Sequence, residues 1–314
     1  MRIIFFGTPD FSIPALKVLL ESDFEIVAVI TEPTRPTGRK QELIPSPVKS
    51  LAIKNNLTVL EPESIKSPEW AEQIKSLAPD IAVVAAYGQI IPQTVIDIPK
   101  FGFINIHPSL LPKYRGASPV QSAILNGETE TGVTIMLMDE KMDHGPILAQ
   151  EKISIGNNED TPSLLARTAE LGAEMLPRVI ADFVAGKIKP REQNHEAATF
   201  SKILKKEDGQ IDWQKSASEI YNQIRALRPW PGTWANFRLQ NADCRIKILD
   251  GEVIDESPGT INAGDFFVSP PYEGGARGGR LAVKCGSGSL IINRLIPEGK
   301  KEMSGEEFAR GYLK

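Results

Sequence analysis

The sequence predicts an α/β protein: a Rossmann-like, mostly parallel sheet followed by a small C-terminal β-barrel of OB-like kind. Three observations carry that expectation. Through the first half of the chain, short and fully apolar runs alternate with amphipathic stretches, as strands do when helices cover both faces of their sheet. Beyond Pro231 the pattern changes to short, closely spaced strands over about 100 residues. The length of 314 residues, 41% hydrophobic and 24% charged, suits two globular domains.

The elements follow in order. Ile3–Phe6 is a buried strand, and Ser12 is placed to cap a helix with Pro14 in its first turn and Leu16, Leu19 and Leu20 facing inward. Ile26–Ile30 is the second strand, and Ser46-Pro47 starts a helix through Ala52. Further strands are predicted at Ile81–Ala85, Phe103–Ile106 and Val133–Met138. Thr161-Pro162 opens a long helix to about Gly186, which Pro177 is expected to kink or divide. The polar run Lys187–Glu196 opens a linker, set at 188–206, between domains at 1–187 and 207–314. In the second domain the spacing of Ile220, Ile224 and Leu227 predicts a helix over Ser216–Leu227. Strands at Trp234–Arg238, Arg245–Leu249, Leu281–Cys285 and Leu290–Leu295 follow, then a helix near Ser304–Tyr312. Two prolines and four glycines within Val268–Gly279 argue for a surface loop.

Composition excludes several classes. A formal charge of −4, from 36 basic and 40 acidic residues, rules out a uniformly basic nucleic-acid coat but not a local basic face. Cys244 and Cys285 are too few and too far apart for a disulfide framework or a zinc site, and are expected to be reduced thiols. The start, MRIIFFGTPDF, lacks the apolar core and cleavage site of a signal peptide, and no run approaches a membrane span, so a soluble cytoplasmic protein is expected. Gly7-Thr-Pro-Asp-Phe11 is not a dinucleotide fingerprint, and neither a P-loop nor a nucleophile elbow is present. Direct transfer between two bound substrates therefore fits better than a covalent intermediate.

The chemistry concentrates in Ile104-Asn-Ile-His-Pro-Ser-Leu-Leu-Pro-Lys-Tyr-Arg-Gly116. Residues two apart on a strand point the same way, so Asn105 and His107 share one face where a parallel strand ends. Two N–H donors aimed at one point suit an oxyanion on a carbonyl under attack. Alone, the pair also fits a histidine satisfied by backbone groups. Pro108 and Pro112 stiffen the next loop, Arg115-Gly116 permits a tight turn, and Ser109, Leu110 and Leu111 can wall a flat heterocycle. Asp143, ahead of a turn at Gly145, is a carboxylate suited to orienting His107, or else a plain turn residue. His144 has no companion at metal-ligand spacing, and no metal is expected; His195, in the polar linker, reads as solvent-exposed.

Asn105-x-His107 with Pro-Ser-Leu-Leu-Pro-Lys-Tyr-Arg-Gly after it, then Gly132-Val-Thr-Ile and Met142-Asp143-x-Gly145, resembles the folate-dependent formyltransferase family. The resemblance implies 10-formyltetrahydrofolate as formyl donor and an amine as acceptor, with Asn105, His107 and Asp143 as catalytic trio. It places Ser109, Leu110, Leu111 and Pro112 at the folate. Other stretches, Phe6–Ser12, Pro45–Lys49, Ala86–Pro92, Lys206–Trp213, Arg228–Gly232 and Pro297–Lys301, resemble the members that formylate initiator methionyl-tRNA. That resemblance implies a C-terminal barrel that helps hold tRNA. Its candidate phosphate contacts are Arg35, Arg39, Lys40, Lys202, Lys205, Lys206, Arg238, Arg245 and Lys247. Two departures stand out. The loop Arg35–Leu43 is less basic than the family usually carries, with Glu42 lowering its charge, and the Val268–Gly279 run is not a family feature. The alternatives are a formyltransferase for an amino-sugar nucleotide, a non-catalytic folate- or RNA-binding protein on the same fold, and, more distantly, a hydride-transfer enzyme. A monomer is expected, since one active site in two domains requires no partner copy.

Overall fold

The computed structural model describes residues 1–37, 42–239, 242–255, 258–269 and 280–313. The chain divides into two compact units: Met1–Pro119 with Glu130–Ser154 and Leu164–Ser201, and Val120–Thr129 with Ile155–Ser163 and Lys202–Lys314.

The first unit is built on a seven-stranded sheet. Its strands are β1 (Arg2–Gly7), β2 (Glu25–Ile30), β3 (Val59–Leu60), β4 (Ile81–Ala85), β5 (Phe103–His107), β6 (Glu130–Leu137) and β7 (Ile147–Ser154), in the spatial order β7-β6-β5-β4-β1-β2-β3. From β3 to β5 all neighbours are parallel, while β6 runs antiparallel to β5 and β7 antiparallel to β6. The α/β expectation with a mostly parallel sheet is met. Strands β1 and β4 are apolar on both faces because each face meets its own core: Ile3, Phe5, Ile81 and Val83 pack in one, and Ile4, Phe6, Ala82 and Val84 in the other. Burying each of the Ile, Val and Phe side chains among these stabilises the fold by about 1.5–3 kcal/mol.

Helices cover the sheet. Helix α1 (Ile13–Leu20) carries Pro14 in its first turn, and α2 (Pro47–Lys54) starts where the Ser46 side chain accepts from the Lys49 N–H at 3.0 Å. Ser12 does not cap α1. Its hydroxyl donates instead to the Ala85 carbonyl at 2.5 Å, tying the helix start to the end of β4. Helices α3 (Pro68–Ser76) and α4 (Gln93–Ile96) follow, while α5 (Pro119–Leu125) falls, past Pro119, in the second unit. The long helix α6 (Thr161–Val184) holds Pro177 inside one continuous element, so the expected division does not occur. A Cβ on its Gly172 would lie 2.5 Å from Ile106 Cγ2, so the missing side chain lets α6 approach the back of β5.

In the second unit α7 (Ala217–Ala226) begins with a capping box, Ser216 and Glu219 bonding each other's backbone N–H. An antiparallel sheet follows, of β8 (Thr233–Leu239), β9 (Ala242–Ile254), β10 (Phe266–Ser269), β11 (Arg280–Lys284) and β12 (Ser289–Pro297), in the order β8-β9-β12-β11-β10. A short strand, β13 (Met303–Ser304), also pairs with β12, and α8 (Gly305–Tyr312) ends the unit. The sheet curls around one core, bringing Phe237 on β8 and Phe266 on β10 into a stack with centroids 4.3 Å apart. Among the described residues no backbone ladder joins those two edges, as in a partly open barrel. Both cysteines are free, and burial pushes the Cys285 thiol up to about 11. The predicted loop Val268–Gly279 lies, from 270 onward, outside the described residues.

Candidate active site

Open parallel sheets offer ligands the carboxyl ends of their strands. At the end of β5, Ile104 and Ile106 point into the core under α6, while Phe103 packs on the opposite face. Asn105 and His107 alternate onto that opposite face, as the strand period requires. Asn105 is half-buried, and its amide has no hydrogen-bond partner in the described residues. Beside it, the chain leaving β4 turns through Ala86 at φ +49° and Gly88 at φ +107°. Thr8, just past β1, donates to the Tyr87 carbonyl at 2.7 Å and pins this turn. The Tyr87 phenol is buried without a partner among the described residues, and burial, then the Glu32 charge, push its pKa up.

His107 is buried, and its ring is held from two sides. Nε2 lies 3.0 Å from the Tyr114 carbonyl, which can only accept, so Nε2 carries the proton and donates. Nδ1 lies 3.6 Å from Asp143 Oδ1. The backbone-satisfied alternative is thus realised at one nitrogen, and the other remains to face Asp143. That carboxylate is fixed in turn: Oδ2 accepts the Gly116 N–H at 2.7 Å, and the residue sits at φ +49°. Gly116, at φ +108°, would put a Cβ 2.6 Å from the Ser201 carbonyl, so the close approach needs glycine.

The loop after His107 is braced from within. The Thr134 hydroxyl donates to the Ser109 carbonyl at 2.6 Å and accepts from the Leu111 N–H at 3.1 Å and from Gln150 Nε2 at 2.9 Å. Gln150 Nε2 also donates to the Leu111 carbonyl at 2.8 Å, and the Leu111–Pro112 bond is cis. Ser109 and Leu111 are buried, Leu111 against Met136 and Ile147, and their backbone groups are occupied. Leu110 and Pro112 are the half-exposed members of the four.

One group of residues was invisible in the sequence. Gln193, read as part of a polar linker, is buried and spans two loops. Its Nε2 donates to the carbonyls of Asp143 at 3.0 Å and Gly145 at 2.7 Å, and its Oε1 accepts from Arg115 Nε at 3.1 Å and an Arg115 terminal nitrogen at 2.6 Å. The same Arg115 nitrogen donates to His195 Nδ1 at 2.9 Å. His195 is exposed, as expected, but its ring stacks on His144 with centroids 4.0 Å apart, and His144 Nδ1 lies 2.6 Å from Asp139 Oδ2. Desolvation, then the neighbouring His144 and Arg115, hold the His195 pKa down. In the sequence Gln193 is one polar residue among many in the run Lys187–Glu196.

The basic candidates scatter. Arg35 is exposed, 3.5 Å from Glu63, while Arg39 and Lys40 lie outside the described residues. Lys202, Lys205 and Lys206 are exposed, and Lys202 pairs with Asp208. In the second unit Trp234, Asn236 and Arg238 alternate along one face of β8, opposite Lys247, Arg245 and Asp243 on β9. The Arg245 guanidinium lies over the Trp234 ring, 4.3 Å from its centroid. No group of side chains among the described residues could hold a metal ion, and no described helix is long and apolar enough to cross a membrane.

Comparison with known proteins matches residues 1–180 to the family described as formyl transferase, and residues 203–313 to the formyl transferase C-terminal domain. Methionyl-tRNA formyltransferase of Geobacter sulfurreducens is 43% identical over 314 residues, covering 99% of this chain and 94% of the relative. That of Sulfurihydrogenibium sp. is 42% identical over 315 residues, covering 99% and 97%. Among solved structures, an N-formyltransferase from Helicobacter canadensis, in complex with folinic acid and dTDP-3-aminofucose, superposes with a TM-score of 0.66 at 21% identity. It covers 93% of this chain and 98% of that one, a likeness that speaks to the fold.

Proposed function

The chain belongs to the formyltransferase family, and on that premise we propose that it moves the formyl group of 10-formyltetrahydrofolate to the α-amine of methionyl-tRNA. The observation that carries the chemistry is the Asn105 amide, half-exposed at a strand end without a partner in the described residues, beside a His107–Asp143 pair. The relatives' shared name carries the acceptor, since the match runs through both units.

In this reading the neutral amine attacks the formyl carbon, and the formyl oxygen gathers negative charge. Asn105 Nδ2 donates to that oxygen, a role in which a fixed donor lowers the barrier by about 3–4 kcal/mol. His107 works through Nδ1, because the Tyr114 carbonyl engages the Nε2 proton. Nδ1 takes the proton the amine gives up as its new C–N bond forms, and Asp143 faces the resulting cation. The bond from the formyl carbon to the folate nitrogen then breaks, and that nitrogen receives a proton. Leu110 and Pro112 give the donor its half-exposed apolar contact, and Ser109 and Leu111 hold the loop in shape beneath.

The face bearing Trp234, Arg238, Arg245 and Lys247 supplies tRNA contacts, with Lys202, Lys205 and Lys206 as further phosphate ligands. Trp234 adds a ring on which a base can stack. The protein acts in the cytoplasm. The test incubates it with labelled formyl donor and, in parallel, charged initiator methionyl-tRNA and an amino-sugar nucleotide. Formylated methionyl-tRNA is expected; transfer to the sugar alone, or to neither, overturns the proposal.

A further inference from the structure

Gln193 makes every hydrogen bond its side chain can make. A carboxamide has two N–H donors and one oxygen with two lone pairs. Here both donors meet carbonyl oxygens, of Asp143 and Gly145, and both lone pairs meet Arg115 N–H groups. The orientation is unambiguous, since turning the amide over would set N–H against N–H and carbonyl against carbonyl. Both residues are deeply buried, Gln193 at 5% and Arg115 at 4% exposure, so water does not substitute for the missing partners of a mutant.

The carbonyls it holds flank the turn that aims Asp143. That residue occupies the left-handed region, where a β-carbon is disfavoured, and its carboxylate reaches both His107 and the Gly116 N–H. A backbone kept in such a conformation needs its surroundings to hold it. The Asp143 carboxylate bonds to Gly116, and the Asp143 carbonyl bonds to Gln193, which grips the side chain of Arg115, the residue before Gly116. The two loops therefore close a ring of contacts through Gln193.

We infer that Gln193 is a positioning residue for Asp143: locked by Arg115, its amide fixes the turn that sets the carboxylate against His107. The inference rests on the reading of Asp143 as part of the reacting centre. Misplacing a catalytic group by about 1 Å can cost about 100-fold in rate.

The test is a double-mutant cycle on Gln193→Glu and Asp143→Asn, with kcat and KM for both substrates and thermal stability measured for each. Gln193→Glu keeps the acceptors for Arg115 and loses both donors to the turn. Expected for it is a fall of about 10- to 100-fold in kcat with each KM within about twofold. In the Asp143→Asn background the same change should cost less than about threefold, because the carboxylate it positions is gone. Unchanged kcat in Gln193→Glu, or effects that multiply in full, overturns the inference. Should that variant fail to fold, Gln193→Asn, the same amide one methylene shorter, enters the same cycle under the same criteria. Wild-type kcat in Asp143→Asn alone is a different outcome, and it refutes the role given to Asp143 itself.

Discussion

Replacing Thr134 with valine is a direct test of how the Ser109–Pro112 loop is held. The side chains are nearly the same shape, so no cavity opens, and the loss is that of one hydroxyl. In the wild type this hydroxyl is fully buried, donates to the Ser109 carbonyl and accepts from Leu111 N–H and Gln150 Nε2. Gln150 keeps its bond to the Leu111 carbonyl, so the groups stranded by valine are the Leu111 N–H and the Ser109 carbonyl. A buried polar group left without a partner costs about 1–3 kcal/mol. The two together should lower stability by about 2–6 kcal/mol, which at about 2–4 °C per kcal/mol for a unit of this size is a fall in Tm of about 4–24 °C. Urea titration and thermal melting followed by circular dichroism measure this, and turnover should fall with it as the loop loses its register beside His107. A stability loss below about 1 kcal/mol would show instead that water or a shifted loop replaces these bonds freely.

Asn105→Ala should reduce kcat by about 100- to 1000-fold while leaving the KM for the folate donor within about twofold, read from initial rates at saturating tRNA. Lys247→Ala should weaken tRNA binding and lower the slope of log Kd against log salt by about 0.7–0.9, whereas an unchanged slope removes Lys247 from the interface. Glu61 offers a pH test. Burial works to raise its pKa, but hydrogen bonds from Lys49 and Thr34 and the Lys49 charge outweigh it and hold the carboxyl below its usual value. A depressed carboxyl stabilises the fold above its unfolded pKa of about 4.3, and that contribution is lost as pH falls through the lower folded value. Glu61→Gln should therefore flatten the decline of Tm on acidification below about pH 4.5, and an equally steep decline in the variant would contradict the assignment.

The strands that carry the site were legible because both of their faces are buried. Ile81–Ala85 could be read from its apolar run alone and Phe103–Ile106 from apolar residues around Asn105, and Asn105 and His107 stood out as the polar residues there. Strand β7 was missed for the opposite reason. It is a sheet edge where only Ile147 and Leu148 are buried and Glu151-Lys152 is exposed, so its apolar run is too short to mark a strand. Gln193 was missed because its partners are carbonyls 48 and 50 residues away and an arginine 78 residues away. Local polarity is the same whether a glutamine is solvated or buried against distant backbone. Ser12 was misread through the same gap, since a serine at a helix start can satisfy a strand carbonyl instead of its own helix.

The pairing of Arg115-Gly116 with Phe200-Ser201 has a consequence for dissecting the protein. A cut at 187, where the sequence suggests a domain edge, would leave the seven-stranded sheet whole. It would also remove Gln193, the Thr199 hydroxyl that accepts from the Tyr114 N–H, and the Ser201 hydroxyl that accepts from the Ser118 N–H. The fragment would keep its scaffold and lose the clasp on the loop from Tyr114 to Ser118. Any fragment meant to retain the geometry of that loop must therefore carry the chain through Ser201, where the last segment of the first unit ends.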